Sequence, residues 1–205
     1  MSFMKPGEAT DRSMCPELEK DDDIYRILIP SEWEALRDSI PLTRLRMVVS
    51  VLMFTGMRYT ELQAFAGHLR WFDAKNRAIT LPGASTKTGK ARTIHLTPAF
   101  SRELELYLKE HKKLEVPGSR TMEENLERWL TPRLDIQDIE PWIPTPKTFR
   151  KSWESWLLAA GYPSMAVALS QGHSELISYG HYANLDPRLK SEMEQVKKLT
   201  EGWGT

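Results

Sequence analysis

A scattered set of cationic residues and one tyrosine carry the chemical content of this sequence. Arg58 follows Thr55-Gly56-Met57 and precedes Glu61 by three positions. Lys147 and Arg150 are also three apart, just after Thr145-Pro146. Lys87 and Lys90 lie in Ser85-Thr86-Lys87-Thr88-Gly89-Lys90, His173 follows Gly172, and Tyr182 stands nine positions after that histidine, with Tyr179 and His181 close by. An arginine at the start of a helix is held rigidly, and its planar fork can grip two phosphate oxygens at once. The helix N-terminus adds to the attraction. Glu61, one turn along, could orient that fork; in isolation the pair would read as an ordinary surface ion pair. Lys147 and Arg150 project in neighbouring directions and repel, and a phosphate between them relieves the repulsion. A phenol of pKa ~10 is a weak nucleophile at neutral pH, so attack on a phosphodiester needs cations around the phosphate. Taken singly, Tyr182 would be a core or interface residue, His173 a capping or packing residue, and Lys87 a solvated hairpin tip.

The elements that must position these residues are legible in outline. Ser31 with Glu32, Trp33 and Glu34 predicts a helix start, and Pro41 separates that helix from one over Thr43 to Phe54 that is apolar nearly all round from Met47. Gly56 stops it, and Arg58 to Phe65 begins a short further helix. Leu69 to Phe72, Ala78 to Leu81 and Arg92 to Leu96 read as short strands, with turns at Asp73 to Asn76 and Gly83 to Lys90. Thr97-Pro98 and Thr145-Pro146 are cap-plus-proline signals; the first opens a helix to about Lys112, the second one in which Phe149, Trp153, Trp156, Leu157 and Ala160 recur at helical spacing before Gly161. Between them Thr121 to Leu130 is helical, Pro163 to Ser170 gives a short helix ending at Gly172, and Asp186-Pro187 opens a last one through Lys198.

Composition bounds the rest. At 205 residues with 40% hydrophobic content and seven tryptophans, the chain can bury a core of its own. Its 28 basic and 28 acidic residues cancel, so a basic surface must arise from local segregation. The single cysteine, Cys15, excludes an internal disulfide and points to the cell interior. Met47 to Met57 falls short of the ~20 apolar residues of a membrane span, and Met1 to Lys20 lacks the apolar centre of a signal peptide. Residues 1–22 are polar and read as a flexible tail or linker end.

Taken in order and with these intervals, the clusters resemble the catalytic domain of the tyrosine recombinase or phage-type integrase family, over roughly Asp23 to Asp186. The resemblance implies a mainly α fold with a small antiparallel β-sheet (α+β), the DNA breaking-rejoining fold, with a catalytic domain over 23–186. The C-terminal helical segment, 187–205, is the part expected to be exchanged between subunits. It also implies a site of Arg58, Lys87, Lys147, Arg150 and His173 around Tyr182, supported by Glu61. In that scheme Tyr182 attacks a DNA phosphodiester to give a 3′-phosphotyrosyl link, and a 5′ hydroxyl later reverses it. Lys87, in the family's Lys-Thr-Gly turn, protonates the leaving 5′ oxygen, with Lys90 as its alternative. His173 sits in Gln171-Gly172-His173, which is similar to the family's Leu-Gly-His turn. Lys147 stands where the family commonly has histidine, and a lysine is a poor general base at neutral pH. No metal or nucleotide cofactor is implied; the partners are double-stranded DNA and further copies forming a tetramer on it. About 22 residues leave no room for the usual N-terminal clamp domain, which implies a fragment of a longer integrase or a minimal protein. A type IB topoisomerase, or an inactive DNA-binding regulator of the same fold, are the competing expectations.

Overall fold

The computed structural model describes residues 26–134, 144–172 and 186–204, with side chains of 130–134 excepted. Its architecture is mainly helical, with one three-stranded antiparallel sheet in the order β1-β2-β3. The chain enters helix α1 (Pro30–Ser39) one residue ahead of the expected Ser31. Proline suits the first helical position, which needs no N–H partner. The Glu32 carboxylate accepts the Ile29 N–H at 3.2 Å in place of a serine cap. Ser31 instead turns to Glu192, donating its N–H at 2.8 Å and its hydroxyl at 2.5 Å.

Helix α2 (Thr43–Thr55) is buried on every face from Met47 to Thr55, as its unbroken apolar run predicts. It packs against α6 (Pro146–Ala159) and α4 (Pro98–His111). Phe54 fills the junction, with ring centroids 5.5 Å from Trp33, 5.4 Å from Trp153 and 5.0 Å from Phe100. The extended segment before α1 is stitched to α6 from both sides: the Leu28 N–H donates to Ser152 Oγ at 2.8 Å, and Trp156 Nε1 donates to the Leu28 carbonyl at 2.9 Å. Thr97 caps α4 as expected, its hydroxyl accepting the Phe100 N–H at 3.3 Å.

The sheet pairs β1 (Phe72–Asp73) with β2 (Ala78–Leu81), and β2 with β3 (Arg92–His95) in the register Ile79↔Ile94 and Leu81↔Arg92. The strand expected over Leu69 to Phe72 is corrected: Leu69–Trp71 is a 3₁₀ turn and only Phe72 and Asp73 pair. Residues three apart eclipse in such a turn, which lets the His68 and Trp71 rings stack at 4.6 Å, nearly parallel at 5°. That ring contact is unavailable to an extended chain.

Helix α5 (Ser119–Leu134) runs beyond the expected Thr121 to Leu130, and α7 (Ser164–Gln171) ends at Gly172 as read. After Asp186 the single helix expected through Lys198 is two elements, a 3₁₀ turn over Pro187–Glu192 and then α8 (Met193–Thr200). The tighter start is fixed by side chains: Asp186 Oδ1 accepts the Arg188 N–H at 3.0 Å, and the Ser191 hydroxyl donates to the Arg188 carbonyl at 2.7 Å. This C-terminal segment rests on its own chain. Leu189, Val196 and Trp203 are buried, α8 packs on α6, and the Tyr162 hydroxyl donates to the Thr200 carbonyl at 2.7 Å. Among the described residues, no helix is long and apolar enough to cross a membrane.

Candidate active site

Gly56 turns the chain out of α2 in the left-handed region, at φ 60°, and delivers Arg58 to the N-cap of α3 (Tyr59–Ala66). Glu61, at the third position of α3, reaches back over the helix start. Its Oε2 accepts the Arg58 N–H at 2.8 Å while its Oε1 accepts from Arg58 Nη1 at 3.0 Å. This is the carboxylate half of a capping box, satisfying a helix N–H that has no intrahelical partner. The Glu61 side chain is 1% exposed and that of Arg58 28%. An ordinary surface pair is thereby excluded; the carboxylate is a buried fixture and the arginine is its exposed end.

A second guanidinium closes on the same carboxylate. Arg92, the first residue of β3, donates Nη2 to Glu61 Oε2 at 2.5 Å, and its Nη1 hydrogen-bonds the Ser170 carbonyl near the end of α7. Burial holds the Arg92 guanidinium below its usual range, opposed by the Glu61 carboxylate and its hydrogen bond, and Arg58 reinforces the downward pull.

Arg150, one turn into α6, joins the turns that precede Arg58 and His173. Its Nη1 donates to the Gly56 carbonyl at 2.8 Å, and its Nη2 hydrogen-bonds the Gln171 carbonyl. Burial, then the neighbouring charges of Arg58 and Arg92, push its guanidinium down to about 10, with Glu61 and Glu154 opposing. At neutral pH it remains cationic. The two turns also touch directly. A Cβ added at Gly56 would meet Gln171 Cδ at 2.8 Å, and one at Gly172, itself at φ 72°, would meet Arg92 Cδ at 2.8 Å. Gln171 is fully buried here, and among the described residues neither its amide oxygen nor its amide nitrogen has a hydrogen-bond partner.

Of the residues singled out from sequence, Arg58, Glu61 and Arg150 thus fall into one connected network. Lys87 and Lys90 are exposed on the loop that joins β2 to β3, where the Thr86 hydroxyl donates to the carbonyls of Gly83 at 3.0 Å and Lys90 at 2.9 Å. Lys147 is exposed on the first turn of α6. One turn later, burial followed by the charge of Lys147 lowers the Lys151 ammonium to about 8. His173, Tyr179, His181 and Tyr182 lie outside the described residues.

Arg92 was missed as a site residue, though its signal was present. In Arg92-Thr93-Ile94-His95 the strand alternates buried and exposed, so Arg92 shares the inward face of Ile94. A charge in that phase must find a buried partner. Among the described residues the cations Arg58, Arg92 and Arg150 outnumber the carboxylates Glu61 and Glu154 that act on them, a balance that suits an anion.

The sequence pattern described as the phage integrase family matches residues 27–188. No curated protein matches the chain in sequence. Among solved structures, the XerA recombinase is 22% identical with a TM-score of 0.65, over 83% of this chain and 64% of that one. The Tn1549 transposon integrase in complex with transposon right end DNA is 18% identical with a TM-score of 0.64, over 87% of this chain and 68% of that one. An integrase from mycobacterium phage Brujita is 17% identical with a TM-score of 0.56, over 85% and 57% respectively. The chain therefore spans less than two thirds of the length of the XerA structure, and at these identities the likeness is one of fold.

Proposed function

Because the chain belongs to the phage integrase family, we propose that it is a catalytic domain that cuts and rejoins duplex DNA through a covalent link to Tyr182. The observation that carries this reading is the network in which Glu61 holds Arg58 and Arg92 while Arg150 bridges the turns before Arg58 and His173. Preorganised guanidiniums suit a phosphodiester whose charge grows as a nucleophile adds.

In the proposed step the phenol of Tyr182 gives its proton to solvent water and its oxygen bonds to phosphorus. The bond from phosphorus to the 5′ oxygen breaks. Lys87, on its exposed loop, gives that oxygen a proton. Arg58 and Arg150 hold the nonbridging oxygens, joined by His173, and Lys147 adds positive charge at the start of α6. Reversal by another strand's 5′ hydroxyl gives recombination or integration. The reading includes assembly as a tetramer on two duplexes, action inside the cell, where the DNA is, and exchange of the 187–205 segment between subunits, in which Leu189, Val196 and Trp203 would leave their own core for a partner's. The DNA-bound Tn1549 integrase, as a structural neighbour, supports the choice of partner.

The test uses a nicked-duplex pool randomised around the nick, from which the 5′ product diffuses away and traps any covalent complex. Adduct on a denaturing gel with wild-type protein and with Tyr179→Phe, but none with Tyr182→Phe, supports the assignment. Adduct from Tyr182→Phe overturns it, and absence of adduct from every protein, with binding retained, favours a non-catalytic DNA-binding role.

A further inference from the structure

We propose that Arg92 is a positioning residue for strand cleavage: it fixes the Glu61 carboxylate and thereby the attitude of the Arg58 guanidinium toward the scissile phosphate. This rests on the recombinase reading above.

The geometry divides the labour of one carboxylate. Glu61 Oε2 is pinned by two donors, the Arg58 N–H at 2.8 Å and Arg92 Nη2 at 2.5 Å, while among the described residues Oε1 accepts from Arg58 Nη1 alone, at 3.0 Å. A carboxylate tied at one oxygen by a single backbone N–H can rotate about its terminal torsion, which is broad. The second tie, from Arg92, removes that freedom and sets the direction in which Oε1 presents itself to Arg58. The side chain that makes this tie is 6% exposed, so water offers no substitute.

Arg92 is fixed in turn by its other contacts. Its Nη1 bond to the Ser170 carbonyl anchors it three residues before His173. Its backbone pairs with Leu81 and closes the loop that carries Lys87. One residue therefore ties together the supports of three proposed catalytic positions, its side chain reaching α3 for Arg58 and the end of α7 for His173, and its backbone closing the β2–β3 loop for Lys87. A purely structural ion pair would require only Glu61 and Arg92; the sharing of Glu61 with a half-exposed arginine is what indicates a role in the reaction.

Single-turnover cleavage of the duplex enriched by the wild-type protein provides the test, with Arg92→Gln, Arg92→Lys, Glu61→Gln and the double variant Glu61→Gln/Arg92→Gln. Misplacing a group that faces the reacting atoms costs up to roughly 100-fold, so Arg92→Gln should cleave up to that much more slowly at saturating protein, where any change in DNA affinity no longer enters the rate. Arg92→Lys should recover part of the rate. The double variant should be no slower than the slower single one, because both act through the same group. Replacing the scissile phosphate by a neutral methylphosphonate removes the charge that Arg58 faces, and the Arg92 defect should shrink with it. A structural defect would be the same on both linkages. Additive losses, an undiminished defect on the methylphosphonate, or wild-type cleavage by Arg92→Gln would each overturn the proposal. Where Arg92→Gln does not fold, the same cycle run with Arg92→Lys decides. Wild-type protein that forms no adduct defeats the recombinase reading and this proposal together; wild-type adduct with an indifferent Arg92 defeats this proposal alone.

Discussion

Substituting Gly56 by alanine separates two costs that the structure assigns to one position. The backbone there sits at φ 60°, and a left-handed conformation costs a residue with a Cβ roughly 1–2 kcal/mol. The added methyl would also run into the amide end of Gln171, with Cδ at 2.8 Å, and the fully buried glutamine would have to shift. Overpacking of this kind adds about 1–3 kcal/mol. Gly161 supplies the control: at φ 92° it carries backbone strain, yet an added Cβ meets nothing within 4 Å. Gly56→Ala should therefore destabilise by about 2–5 kcal/mol and Gly161→Ala by about 1–2 kcal/mol. In a domain of this size each kcal/mol moves the melting temperature by roughly 2–4 °C. Urea unfolding at constant slope measures both variants. Gln171→Ala in the Gly56→Ala background should return the steric part, since it clears the space the methyl needs. Equal losses at Gly56 and Gly161, or no relief from Gln171→Ala, would refute the claim that the two turns press on each other.

Two further outcomes follow from the charges. Glu61→Ala leaves Arg92 buried without its carboxylate and should cost about 3–5 kcal/mol, whereas Glu103→Ala, which breaks a pair with Arg37 whose side chains are 39% and 37% exposed, should cost under about 1 kcal/mol; comparative urea melts check the ratio. Lys147→Gln should raise the Lys151 ammonium from about 8 toward the ordinary lysine range without restoring it fully, because burial is the larger cause. Carbon-detected lysine titration reads this directly. In the wild-type protein the unfolded chain holds this proton to higher pH than the folded one, so its contribution to stability rises as pH climbs from about 8 into the ordinary lysine range. In Lys147→Gln that rise should be smaller.

Helix ends and buried runs were legible because they are written in adjacent residues. Thr97-Pro98, Thr145-Pro146, Gly56 and Gly172 each mark a boundary through local backbone chemistry, and each stands where it was read. The 3₁₀ turn at Leu69–Trp71 was not legible, since Leu69-Arg70-Trp71-Phe72, with its bulky aromatic pair, reads as strand until the His68 and Trp71 ring contact is known. Glu61 was placed correctly beside Arg58, but its burial depends on β3, thirty-one positions away, delivering Arg92 to it. Sequence spacing along one helix cannot report a partner that arrives from a sheet. The strand's own alternation did mark Arg92 as inward-facing, and a charge on a buried face was the cue to look for that partner.

The end of α7 has a consequence for how the site meets an anion. A helix C-terminus carries about half a negative charge on its last carbonyls, and left bare it would repel a phosphate brought to the turn at Gly172. Here the carbonyls of Ser170 and Gln171 are taken up by Arg92 and Arg150. The two cations exceed the dipole charge they cover, so a terminus that should turn anions away becomes part of a positive floor. That floor is built largely from buried groups, and buried charges are screened far less than exposed ones. Its pull on a phosphate should accordingly persist at salt concentrations that screen the exposed lysines 87, 90 and 147.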